Sequence, residues 1–225
     1  MTLTALQTIR KYLSSATLLT CLGASVAVSF TACVPLMVGG AVVGTLVATD
    51  RRTSGAQLED EGIDLRSANR IREALGDRAH VNINSYNRQV LLTGEVPTAQ
   101  VKQNVEQIVS KVANVRSIVN EIAVLGNSTL GQRSSDSLLT AKVKAGLVDA
   151  KDLFAGAFKV VTERGTTYLM GRVSQREADR ATEVARGVGG VQKVVRIFEI
   201  ISEDELKSLL PQPAPASNRS NQPGG

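Results

Sequence analysis

The sequence predicts an α+β fold used twice, and three observations carry that prediction. HVNINSYNRQVLLTGEV at 80–96 lines up with AFKVVTERGTTYLMGRV at 157–173 at an offset of 77. LRSANRIREAL at 65–75 lines up with SLLTAKVKAGL at 137–147 at an offset of 72, which leaves five extra residues in the second copy's loop. Behind each hairpin-like stretch comes an amphipathic run and then a further alternating run, so each copy reads helix, strand, strand, helix, strand. Two helices on one face of a three-stranded mixed sheet make an α+β architecture, repeated in tandem.

Taken in chain order, the first element is a leader. No charged residue occurs from Tyr12 to Thr49, while Arg10 and Lys11 stand just ahead of the run. A basic start, an apolar stretch and small residues before a cysteine are the pattern of a secretory signal, so 1–32 is expected to be a cleaved signal peptide. Phe30, Thr31 and Ala32 precede Cys33, the expected lipid-attachment residue. Cys21, behind Leu18, Leu19 and Thr20, is the competing site, and an uncleaved anchor helix is the competing reading. Pro35 and the pair Gly39–Gly40 count against such a helix.

Residues 33–62 are expected to be a lipid-anchored linker, with Glu59, Asp60, Glu61 and Asp64 crowded around its end as solvating charge and Gly55 and Gly62 within it. The first domain is placed at 63–126 and the second at 133–201. In each, the paired strands alternate apolar and polar residues about a polar break, the pattern of a hairpin with one buried face. Gly94 and Gly171 fall where a strand must bend or another backbone must approach. Ser174 and Glu177 form a capping box for the second helix of the second copy. Separate cores are expected, around Ile71, Leu92 and Ile118 and around Val143, Leu169 and Val194. The remainder, 202–225, reads as a short helix that Ser202 and Glu205 can cap, then a disordered Pro-rich tail.

Composition narrows the function. Loss of Arg10 and Lys11 with the leader leaves 24 basic against 21 acidic residues, a net charge of +3. That excess suits an anionic membrane surface and falls short of a dedicated nucleic-acid binder. Tryptophan is absent and aromatic residues are 3% of the chain, so stacking platforms for sugars or bases are not expected. Both cysteines lie in or at the end of the leader, so stability must come from packing without an internal disulfide.

The element order, the glycines of VLLTGEV and YLMGRV, and the closing strands NVRSIVNEI and GVQKVVRIF resemble the BON domain, present twice. With the lipobox-like Cys33 and the ATDRRTSGAQLEDEGID segment, the chain over roughly 33–201 resembles the dual BON-domain outer-membrane lipoproteins of the DolP (YraP) type. The departure is Phe30, where a lipobox usually has Leu; Val34 is not the Asp that resembles an inner-membrane retention signal. The resemblance implies a non-enzymatic lipoprotein on the periplasmic face of the outer membrane that supports envelope integrity. It also implies enrichment at the division site, partners among envelope or division proteins, and an influence on peptidoglycan-amidase activation. The alternative it leaves is a periplasmic protein-interaction or chaperone-like dual-BON module.

No catalytic residue, cofactor or metal is expected. His80 is the single histidine and, at the start of a strand, reads as solvated. Neither a GxSxG elbow nor a Cys/His cluster is present.

The most informative stretch is the first helix of the second copy. At about 100° per residue, Leu139, Val143 and Leu147 fall in one narrow sector, while Leu138, Ala141, Ala145 and Val148 form a second apolar stripe flanked by Lys142 and Lys144. Such a stripe suits a membrane interface, with ammonium groups meeting lipid phosphates. It suits equally a contact with the other copy. The first copy's helix, with Arg66, Asn69, Arg70, Arg72 and Glu73, is expected to lack the second stripe. The resemblance favours the membrane: it implies that this helix binds anionic phospholipid, notably phosphatidylglycerol, and it puts Leu138 where the family has an inserting Trp.

Overall fold

The computed structural model describes residues 50–76 and 79–209. The leader, Cys33, most of the expected linker and the Pro-rich tail lie outside the described residues, all of which fall within one compact unit.

The first domain opens with α1 (Ser54–Leu75), capped by Thr53, whose hydroxyl accepts from the Ala56 amide at 3.2 Å. This helix starts well inside the segment expected to be linker. A mid-helix glycine costs about 1 kcal/mol relative to alanine, and Gly55 and Gly62 masked the helical pattern. Burial of Asp60 and Ile63 against the hairpin that follows holds the extra turns in place. That hairpin is β1 (His80–Tyr86) and β2 (Gln89–Val96), antiparallel, with Val81 facing Gly94. Its two-residue turn, Asn87–Arg88, has positive φ at both positions (49° and 67°), as a turn matched to strand twist requires. Gly94, at φ 107°, is structural: a Cβ there would stand 2.1 Å from the His80 carbonyl oxygen.

After α2 (Ala99–Ser110), capped by Thr98, the chain returns parallel to β2 as β3 (Ser117–Asn120) and β4 (Ala123–Val124). One strand was expected here. The ladder breaks at Glu121–Ile122, where the Ile122 side chain is buried in the first core, so this sheet has four strands, the last two short.

The second domain repeats the order. Its α3 (Leu130–Asp149) carries a Thr129–Gln132 capping box and leads through a short 3-10 turn to β5 (Phe158–Glu163) and β6 (Thr166–Val173). Next come α4 (Gln175–Gly187), with the expected Ser174–Glu177 capping box, and β7 (Lys193–Ile200), parallel to β6. The short α5 (Glu203–Leu209) follows, its Glu205 amide donating to the Ser202 hydroxyl at 3.1 Å. Gly171 matches Gly94 in purpose, since a Cβ there would meet the Ala157 carbonyl oxygen at 2.6 Å.

Each domain has its own core between helices and sheet. One gathers Ile63, Ile71, Val90, Leu92 and Val105 with Ile118 packed on it; the other gathers Val143, Leu147, Leu169, Val173 and Ala181 with Val194 packed on it. A third cluster corrects the expectation of hairpins with a single buried face. Tyr86, Leu91, Tyr168, Met170 and Ile197, with Val119, Val161 and Val195, point away from the helices and pack against one another. In β2, Val90 and Leu92 face the helices while Leu91 faces the other sheet, as the period-2 alternation of a strand dictates. The two domains therefore stack sheet on sheet, with helices on the outside. Polar contacts stitch the rim: Asn87 Nδ2 donates to Glu199 Oε2 at 2.6 Å, and Lys159 Nζ to the Ser85 carbonyl at 3.0 Å.

Candidate functional site

Sheet-on-sheet stacking decides what is left open on α3. Leu139, Val143 and Leu147 turn inward, the latter two fully buried. The opposite face stays bare: Leu138 is 56% and Val148 68% exposed, with Ala141, Ala145, Lys142 and Lys144 exposed as well. Leu130 extends this stripe by two turns and is also exposed. Domain 1 covers none of it, so a contact between the copies is not what occupies the stripe. Lys142 and Lys144 have no ion-pair partner among the described residues.

Beside Leu138 opens a groove of about 960 Å³, walled by α3, the Arg164–Gly165 turn and the Gly189–Gly190 turn, with Lys142 and Arg164 on its sides. At Gly190, where φ is 104°, a Cβ would stand 2.8 Å from the end of the Leu139 side chain. Asp136 at its floor is already committed. Its carboxylate accepts from the Arg164 amide at 2.8 Å and the Gly165 amide at 2.9 Å, which fixes the turn against α3.

The incoming chain also arrives at this side of the molecule. Asp50 and Arg52 line a cleft of about 310 Å³ together with Lys144 of α3. Arg51 is held tightly: both its terminal nitrogens donate to the buried Glu177 carboxylate at 2.7 Å, and one donates to the Arg172 carbonyl at 3.1 Å. Burial alone would raise the Glu177 pKa, but the Arg51 guanidinium and the Ser174 amide outweigh it and hold the carboxyl below its ordinary range. Arg52 joins the first domain, donating to Asp60 at 2.7 Å and lying 4.3 Å from the centroid of the Tyr86 ring. Residues 50–52 thus grip both domains. Cys33 itself lies outside the described residues.

Two sequence readings are corrected here. The acids near residue 60 are not uniformly solvating charge. Asp60 is buried and accepts from the Ser85 hydroxyl at 2.6 Å, the Asn87 amide at 2.7 Å, the Arg88 amide at 2.8 Å and Arg52. Against burial, which acts to raise it, these donors hold its pKa below the ordinary carboxylate range. Asp64 is pushed up to about 6 by burial, partly offset by Lys159 and the Ser85 amide.

His80 is likewise not merely solvated. Its Nδ1 lies 3.0 Å from Oε2 of the fully buried Glu95, its hairpin partner. Burial would raise the Glu95 pKa, but His80, Ser128 and Arg164 lower it. Glu163 of the second domain lies beside them and is shifted the other way, raised by its burial and by the Glu95 charge against the opposing bond from Asn82.

The turn-binding acids also revise the repeat. Asp60 and Asp136 do the same job 76 residues apart, against 77 for the turn amides they hold. The helices therefore match at 76, one turn away from the offset of 72 that the apolar pattern suggested, and Ile71 corresponds to Leu147. A helix repeats its apolar face every turn, so composition cannot tell the two registers apart; the buried aspartates can.

Residues 64–126 and 135–201 each match the BON domain. The chain is 34% identical over 171 residues to the outer membrane lipoprotein DolP of Haemophilus influenzae, covering 75% of this chain and 89% of that one. It is 36% identical over 154 residues to the 21 kDa hemolysin of Actinobacillus pleuropneumoniae, covering 68% and 79%. It is 36% identical over 109 residues to the osmotically-inducible protein Y of Escherichia coli, covering 47% and 50%. Two stacked αββαβ units of this kind define a tandem-BON protein. The chain belongs to the BON-domain family, as a dual-BON protein of the DolP type. Among the described residues, no helix is long and apolar enough to cross a membrane.

Proposed function

We propose that this protein is a non-enzymatic outer-membrane lipoprotein, tethered through Cys33 on the periplasmic face, whose second BON domain binds anionic phospholipid and thereby supports envelope integrity. The observation that carries the reading is the open face of α3. Leu138, Ala141, Ala145 and Val148 present an apolar stripe that the neighbouring domain leaves uncovered, with Lys142 and Lys144 at its edges. Leu138 enters the acyl boundary while Lys142 and Arg164, across the groove, meet a headgroup phosphate such as that of phosphatidylglycerol. Each basic residue near an anionic surface adds about 1 kcal/mol, so the two lysines orient the helix more than they retain the protein. Retention falls to the lipid at Cys33. The tether reaches the fold beside Lys144, which keeps α3 near the leaflet to which the chain is attached.

The test uses residues 50–225 without the lipid, so that only the helix can bind. This protein is expected to sediment with phosphatidylglycerol vesicles and to stay in solution with zwitterionic ones. Leu138→Glu and the pair Lys142→Glu, Lys144→Glu should each reduce sedimentation by at least severalfold without altering the melting curve. Equal sedimentation of variants and parent would remove α3 as the docking face. A division-site role rests on the family resemblance, and the periplasmic interaction-module alternative is distinguished by lipid labelling that Cys33→Ala abolishes only in a lipoprotein.

A further inference from the structure

Where the two domains meet, one ring nitrogen of His80 and one carboxylate oxygen each from Glu95 and Glu163 lie within 4.8 Å of one another. We propose that these three residues form a binding site for a divalent transition-metal ion of the zinc class, and that the bound ion staples the first BON domain to the second.

The donor set is chemically coherent. One imidazole nitrogen and two carboxylate oxygens suit a borderline ion far better than calcium, which takes six or more oxygens. Bonds of about 2.0–2.1 Å at tetrahedral angles put neighbouring donor atoms about 3.3 Å apart. His80 and Glu95 already stand at 3.0 Å, and Glu163, within 4.8 Å of both, reaches that spacing by a movement of at most about 1.5 Å.

The surrounding groups hold the ligands without occupying the centre. Arg164 Nη1 donates to Glu95 Oε1 at 3.3 Å, and Asn82 Nδ2 donates to Glu163 Oε2 at 2.7 Å. Each carboxylate therefore has one oxygen braced, in the manner of outer-shell partners that orient metal ligands. Ser128 Oγ donates to Glu95 Oε2 at 3.2 Å and accepts from Arg133 Nε at 3.1 Å. Ligation by His80 Nδ1 takes the tautomer with its proton on Nε2. A groove of about 400 Å³, lined by His80, Asn82, Arg133, Asp136, Ser137 and Glu163, leads in and leaves room for water in the remaining position.

Charge supports the same conclusion. Arg164 answers one of the two carboxylates, and the buried Glu95 and Glu163 come from different domains. A cation between them converts a repulsion across the interface into a bridge.

The purified full chain, stripped with chelator, is melted with and without Zn2+. At an ion concentration about a hundredfold above Kd, the melting temperature is expected to rise by roughly 5–10 °C, to fall back on chelation, and to move far less with Mg2+ or Ca2+. Titration should give one ion per chain. His80→Asn and Glu163→Gln, on different domains, should each abolish the rise, and their ion-free melting curves show whether each has folded. The proposal is overturned if the parent shows no rise at about 1 mM Zn2+. It is equally overturned if the rise persists in the folded variants, which would place the ion elsewhere on the chain.

Discussion

The two BON domains share a scaffold and differ in what it supports. In each, a buried aspartate nearly two turns into the helix holds the hairpin turn by its amides, a strand glycine admits a neighbouring carbonyl, and the second sheet face is spent on its twin. Outward, they part. On α3 the lysine-edged apolar stripe runs from Leu138 to Val148, with Leu130 on the same face beyond Ser134 and Ser137, whereas the large apolar side chains that α1 exposes are Leu58 and Leu65, beside Glu61 and the Glu59–Arg66 pair. Two leucines do not make the second stripe that this helix is expected to lack; Leu58 joins Leu65 on one face because the helix begins at Ser54. The comparison teaches that the duplicated interior builds the particle and that one outer helix, not both, carries a lysine-edged apolar stripe.

The largest effect that tests the shared scaffold should come from its aspartates. Asp60 meets a guanidinium, a hydroxyl and two amides, while Asp136 meets only two amides. Asp60→Ala strands two amides and the Ser85 hydroxyl and removes one of the two carboxylates on Arg52, Asp50 remaining at 2.7 Å, and is expected to cost about 3–5 kcal/mol. Asp136→Ala strands two amides and should cost about 1–3 kcal/mol. Urea unfolding measures both, and an equal or reversed order would show that the two positions are not equivalent.

A smaller effect should separate the domains by pH. Asp64 has its pKa pushed up to about 6, and the place 76 residues on is Thr140, which cannot titrate. A carboxyl whose pKa is higher in the fold than in the unfolded chain, near 3.9, favours the fold fully below that lower value and loses the contribution as pH rises through 6. Asp64→Asn should therefore melt a few degrees above the parent at pH 7.5, with the gap narrowing as pH falls below about 6 and closing below about 3.9. A gap that does not change over this range would mean that Lys159, at 3.6 Å, neutralises the burial.

How much of this was legible follows from what repeats along a strand or helix. Period-2 and 3.6-residue patterns exposed the hairpins, the helices, both cores and the α3 stripe, because each depends on neighbours a few residues away. The sheet-on-sheet contact was hidden for a specific reason. VLLTGEV and TYLMGRV are apolar at both parities, which marks strands buried on two faces, but the polar first strands HVNINSY and FKVVTE made a single buried face look sufficient. Asp60 was hidden by the glycines around it. His80, Glu95 and Glu163 could not be associated at all, since the third comes from the other copy and no spacing rule spans a domain interface. The groove beside Leu138 depends on a turn at Gly189–Gly190 that is local in sequence and becomes a wall only when α3 lies against it.

The smallest expected effect on stability is also the sharpest test of the contrast between the outer helices. Leu58, Leu65 and Leu138 are all more than half exposed, at 69%, 64% and 56%. Replacing any of them with Glu should change unfolding free energy by no more than about 0.5 kcal/mol, so differences in vesicle binding report the surface and not the fold. Leu58→Glu and Leu65→Glu add charge beside acids that an anionic membrane already repels, and binding to phosphatidylglycerol vesicles should stay near the parental level. Leu138→Glu inserts a carboxylate between the headgroup groove and the stripe, and binding should fall. If Leu65→Glu weakens binding as much as Leu138→Glu, both helices touch the membrane, and the division of labour between the domains is lost.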